Sequence, residues 1–195
     1  MYFILKSIVM LLFSGLCLFS GSQAAEVVTG TEAQTGRLTW EWRDNGVSVQ
    51  LVQLLPDQTR AFYLGRGFGS ADADAIARTC FFQTIFRNDG KLPLSYDLDD
   101  WRVILRDEQR PLLTRERWDE RLREGPSSQA ARIALRWALL PTRQAFQAGD
   151  YNWGMTSFGL LPGETFDLLL TLTIGTDRVN GRIPHIRCAA EQTSK

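Results

Sequence analysis

A lone histidine, His185, stands three residues before Cys188 in the stretch GRIPHIRCAAE, Gly181 to Glu191. Imidazole, thiolate and thioether are the donors that a copper(I) ion prefers, and His185, Cys188, Cys80 and Met155 make such a set. In an exported chain the two cysteines read first as one disulfide, because paired thiols persist oxidised outside the cytosol. A Cys80–Cys188 bond would close a loop of slightly over 100 residues, an effect of about 4–5 kcal/mol if it acts by restricting the unfolded chain. In a regular strand, residues three apart face opposite ways. His185 would then side with Ile183 and Cys188 with Ile186, so the pair could share a metal only across a bulge. Pro184 marks this strand as an edge or irregular one. The disulfide is the expectation, without metal or cofactor. Copper handling through Cys80, Cys188, Met155 and His185 is the alternative.

Other chemistries find fewer residues. A Ser-His-Asp triad has only His185 to draw on, and no serine sits in a Gly-x-Ser-x-Gly elbow. No Cys-x-x-Cys or haem-attachment spacing occurs. GRGFG, Gly65 to Gly69, lacks the spacing and the Lys-Ser/Thr of a phosphate loop. Asp97, Asp99 and Asp100 sit together and, with Trp153, admit a sugar-active or carbohydrate-binding reading; a solvated hairpin is the plainer one. Between Arg102 and Arg143, ten arginines interleave with six acidic residues. That pattern describes an ion-paired surface, not a basic face for nucleic acid. The densest recognition signal is GDYNWGMTSFG, Gly149 to Gly159, where Tyr151, Trp153, Met155 and Phe158 crowd a glycine-punctuated segment. Aromatics on loops of a rigid scaffold serve recognition; they can equally fold down onto a sheet as satellite core.

The elements that would position these residues begin after the first 24. Lys6, an apolar run from Ile8 to Phe19, and Ser22 and Ala24 before Ala25 follow the grammar of a cleaved signal peptide. The run is about 12 residues, against roughly 20 for a membrane span. Cleavage removes Cys17 and leaves a chain of nearly balanced charge, since the 195 residues carry 22 basic and 22 acidic side chains. A periplasmic or secreted location is expected, with no stable membrane span after cleavage.

Residues 25–36 are small and polar and read as a flexible lead-in to a single domain over 37–195. RLTWEWR and VSVQLVQLL alternate on either side of Asp44-Asn45-Gly46, a hairpin signal. Pro56-Asp57 turns the chain into a third strand, RAFYLGRGF. Ser70 caps a short helix, Ala71 to Arg78. CFFQTIF is apolar on both parities, as in a strand buried on both faces, and forms a second hairpin with LPLSYDLDDWRV. Thr114 caps a charged helix running to about Glu124. ARIALRWALLP fits both a strand and a helical stripe through Ile133, Trp137 and Leu140, and its unbroken alternation favours strand. TFDLLLTLTI and RIPHIRC complete a mainly β chain. The expected fold is an immunoglobulin-like antiparallel β-sandwich with one or two short helices and an inter-sheet disulfide. The expected function is that of an exported, non-catalytic accessory module that binds a protein partner.

Overall fold

The computed structural model describes residues 25–191. Residues 1–24, expected to be a signal peptide, lie outside the described residues, as do residues 192–195. The lead-in is not loose. Glu26–Thr31 (β1) pairs antiparallel with Leu38–Asp44 (β2) along its whole length. Asn45 and Gly46, at φ 47° and 77°, make the two-residue turn that matches strand twist. It leads into Val47–Gln53 (β3). Pro56–Leu64 (α1) then replaces the third strand expected over RAFYLGRGF. Pro56 opens it, where a missing N–H costs nothing, and Asp57 lies in its first turn. Ser70–Ala77 (α2) has Gly69, not Ser70, at its N-cap, with no side-chain cap.

Phe81–Asn88 (β4) pairs with β3. The chain next crosses to a second sheet, so the expected hairpin with Leu94–Asp97 (β5) does not form. Asn88 holds this corner, its Nδ2 donating to the carbonyls of Leu92 (2.9 Å) and Gln147 (3.0 Å). Arg102–Leu105 (β6) and Glu108–Pro111 (β7) form a hairpin. Two helices follow, Arg115–Arg121 (α3) and Gln129–Ala138 (α4), the second in place of the strand expected over ARIALRWALLP. Ser128 Oγ accepts the Ala131 N–H at 3.1 Å and caps α4. Arg143–Phe146 (β8), Tyr151–Ser157 (β9), Thr165–Ile174 (β10) and Asp177–Arg187 (β11) close the fold.

The first sheet runs β1-β2-β3-β4-β9. In the second, β5 and β6 lie end to end along one edge of β10 and β11 along the other, with β8 outside β5 and β7 outside β6. Alternation on each strand sends one set of side chains inward. Trp40, Trp42, Val49, Leu51, Phe82 and Phe86 from the first sheet meet Tyr96, Val103, Phe166, Leu168, Leu170 and Ile183 from the second. The expected β-sandwich is present, with four helices where one or two were expected. The helices pack on the outer face of the first sheet, where Tyr63, Ile76, Trp118 and Leu135 enclose Phe81 and border Met155.

The disulfide is formed: Cys80 precedes β4, Cys188 follows β11, and their Cα atoms are 5.3 Å apart. It ties one sheet to the other. Close approach recurs at Gly181, where an added Cβ would come within 2.6 Å of Trp42 Nε1 and 2.8 Å of Leu170 Cδ1. Neither neighbour is free to move, since Trp42 and Leu170 are both buried. Gly181→Ala is expected to cost about 1–3 kcal/mol through overpacking, read as a lower urea midpoint. A midpoint at or above that of the parent would show that β11 can draw back from Trp42.

Candidate functional site

The segment Gly149 to Gly159 is not a loop. It is the edge strand β9, paired with β4 from Phe81 opposite Ser157 to Arg87 opposite Tyr151. Gly154 had read as loop punctuation. In fact a Cβ there would come within 3.0 Å of Leu140 N, so glycine lets the chain after α4 lie against β9. The expected site residues therefore separate. Phe158 is buried in the inter-sheet core. Met155 lies half-buried under the helices, its Sδ accepting from Tyr63 Oη at 3.5 Å. Tyr151 and Trp153 stay on the outer face, 64% and 61% exposed.

A third exposed aromatic, Trp137, lies in α4, the helix that ends against β9. Leu139 bridges Met155 in parallel, and Leu140 N–H donates to Met155 O at 2.9 Å. Trp137 stands two residues before the first of these partners, Trp153 two before the other. Trp137 is 78% exposed. Arg115 fixes this junction by donating from Nε (2.9 Å) and Nη2 to Leu139 O; burial holds its pKa below the usual guanidinium range. Sequence reasoning missed Trp137 by setting it in a strand core. The signal was present in helical spacing: Ala131, Leu135 and Leu139 form the buried stripe, leaving Ile133 and Trp137 together on the other side.

The β9 edge is capped against strand addition from Trp153 to Ser157. Leu113 N–H takes the Ser157 carbonyl and Leu140 N–H the Met155 carbonyl, both at 2.9 Å. Asn152 Oδ1 accepts the Trp153 N–H at 2.8 Å, while Asn152 Nδ2 donates to Gln144 Oε1 at 2.7 Å. Capping of this kind blunts an edge, so side chains are what this region presents. Beside them, Ile85 and Arg87 of β4 pair with Trp153 and Tyr151, and the Arg87 guanidinium lies 5.7 Å from the Tyr151 ring centroid.

The other candidates do not assemble. Pro184 and His185 together oppose Asp167 in a bulge, with His185 at φ 55°. Its N–H donates to Asp167 Oδ1 at 2.8 Å. Burial alone would raise the Asp167 pKa; hydrogen bonds from the His185 backbone and Arg182 outweigh it and hold the carboxyl below its usual range. The bulge overturns the simple parity. Ile183, Ile186 and Cys188 are all buried while His185 is exposed. Cys80 and Cys188 lie in the inter-sheet core, and Met155 lies across the first sheet from them. The four copper donors are thus not gathered, and among the described residues no three His, Cys, Asp or Glu side chains form a group able to hold a metal. Asp97 points outward from the second sheet, opposite to Trp153. Arg143 engages Asp97 (2.6 Å) and Asp99 (3.3 Å), and Arg178 engages Asp100 (3.2 Å). No helix among the described residues is long and apolar enough to cross a membrane.

No protein-family model matches the chain, and neither a curated protein nor a solved structure matches it.

Proposed function

We propose that the protein is an exported, non-catalytic binding module, an accessory to a larger envelope system, and that Trp153, Tyr151 and Trp137 are its contact residues. One observation carries this reading. Of six tryptophans, Trp40, Trp42, Trp101 and Trp118 are at most 5% exposed, yet Trp137 and Trp153 stand out at one junction of helix layer and edge strand. Large aromatics are where interfaces concentrate their binding energy, and grouped exposed ones mark contact surfaces. The disulfide supports an oxidising compartment. The test is a photo-crosslinking residue at Ile85, with the protein expressed in its own cell envelope. A discrete protein adduct that disappears on Trp153→Ala is expected if the partner is a protein. No Trp153-dependent adduct and no Trp153-dependent retention on envelope polymers would refute the reading.

A further inference from the structure

We infer that the uncovered outer face of the first sheet is a binding platform for a neutral oligosaccharide, an inference that rests on the binding-module reading. The helices cover only the end of this face near Phe81, Val52 and Met155. Beyond them, β9, β4, β3 and β2 present a continuous field of outward side chains. Trp153, Ile85, Gln50 and Glu41 form one row across the strands, and Tyr151, Arg87, Ser48 and Arg43 the next. Inward neighbours Trp42, Val49, Leu51 and Phe86 are buried, so this backbone is rigidly backed. Tyr151 and Trp153 are alternate residues of one strand, about 6.6 Å apart along it.

The chemistry of the face selects its ligand. At one side stand two exposed rings, which offer flat apolar surface with little side-chain entropy to lose. Towards β1 the surface sinks into a depression of about 350 Å³ lined by Glu26, Glu41, Arg43, Ser48, Arg87 and Asp89. Guanidinium groups only donate and carboxylates only accept. A ligand that meets both needs groups able to do either, which is the property of hydroxyls. A sugar ring joins a rim of hydroxyls to a C–H face that can lie on an aromatic plate. Arg43 and Glu41 are already paired at 2.6 Å, and the hydrogen bond that Arg43 donates to Glu41 raises the Arg43 pKa. Acids outnumber bases around the depression, the wrong sign for a phosphorylated or polyanionic ligand and for an anionic lipid surface. Capping from Trp153 to Ser157 disfavours a peptide added as a strand beside the two rings. Five strands spaced about 4.8 Å apart give a span of roughly 19 Å, suited to an extended ligand.

The full chain, exported and purified with its disulfide formed, is titrated with linear neutral oligosaccharides of glucose, xylose, mannose and N-acetylglucosamine. Tryptophan fluorescence and heat are followed. Saturable binding to at least one series is expected, with affinity rising with ligand length. Trp153→Ala should weaken it about tenfold or more. Leu161→Ala, which removes an exposed apolar side chain that lies with Arg60, Arg78 and Glu191 outside these rows, should leave it unchanged. Raising salt should change the affinity less than about twofold, since no net charge is neutralised. If no saccharide binds while the Ile85 crosslink still gives a Trp153-dependent protein adduct, the ligand class is wrong and the module reading survives. Trp153-dependent sedimentation with vesicles containing anionic phospholipid, without saccharide binding, overturns the inference in favour of a membrane surface. Failure in all three arms removes both readings.

Discussion

Replacing Cys80 and Cys188 together by alanine lowers the unfolding free energy by about 4–5 kcal/mol, a large part of a typical domain's margin of about 5–15 kcal/mol. The two cysteines are 108 residues apart. An unfolded chain closed into so long a loop loses many conformations, and the folded state is favoured by the difference. The bond also spans the sandwich, so without it the sheets are held only by their shared core and the connecting segments. Urea unfolding of the double variant beside the oxidised parent gives the number directly. A difference below about 1 kcal/mol would mean that the bond barely restrains the unfolded ensemble. Cys80 is 6% and Cys188 1% exposed, so mild reductant under native conditions should leave the bond intact until the chain opens.

Trp42→Ala is the second large effect, at about 3–5 kcal/mol. Trp42 is almost fully buried, and the Cα of Gly181 lies against its indole. Removing that ring leaves a cavity between β2 and β11 that the rigid sheets cannot close. Trp153→Ala truncates the same residue type and should shift stability by no more than about 0.5 kcal/mol, because the side chain stands in solvent. Thermal or urea melts of the two variants side by side separate folding from recognition. Comparable losses would show Trp153 to be structural and would weaken the case for a contact surface.

Period-2 patterns in the sequence identified the strands that bury one face. Trp40 and Trp42, Val49 and Leu51, and Phe166 through Ile174 fall inward as their alternation requires, and Asn45-Gly46 turns where its φ angles demand. The helices were harder to see. Pro56-Asp57 suits a turn and a helix start equally, and the start prevailed because Thr59 and Tyr63, four residues apart, are both buried. ARIALRWALLP contains a perfect alternation that is irrelevant in a helix. Within the helix the buried members are Ala131 and Leu135; Ala131 lies in neither of the two stripes, and Leu135 lies in the alternating one beside Ile133 and Trp137, which the helix leaves exposed. Non-local pairing was also out of reach. Whether RNDGK reverses β4 on itself or carries it to another sheet depends on Asn88 meeting Leu92 and Gln147, the second of which is 59 residues away. For the proposed contact surface, composition singled out Tyr151 and Trp153, which stand exposed on β9. It also enlisted Met155 and Phe158, because a crowd of aromatics does not announce which face of a strand each will occupy.

The position of β9 has a consequence for the order in which the chain becomes a protein. The first four strands of the first sheet are complete by Asn88, but the fifth arrives only with residues 151–157, after β5, β6, β7 and β8 of the second sheet and before β10 and β11. Cys188 comes later still. A chain emerging N-terminus first therefore presents β4 with an unpaired edge, and Cys80 with no partner, until nearly all of it is through. The first sheet has all its strands by Ser157, while the second waits for β10, the strand that joins β5, β6 and β11. In such vectorial folding, an escort that shields β4 and an oxidant that waits for Cys188 matter more than they would for a sandwich assembled from sequential hairpins.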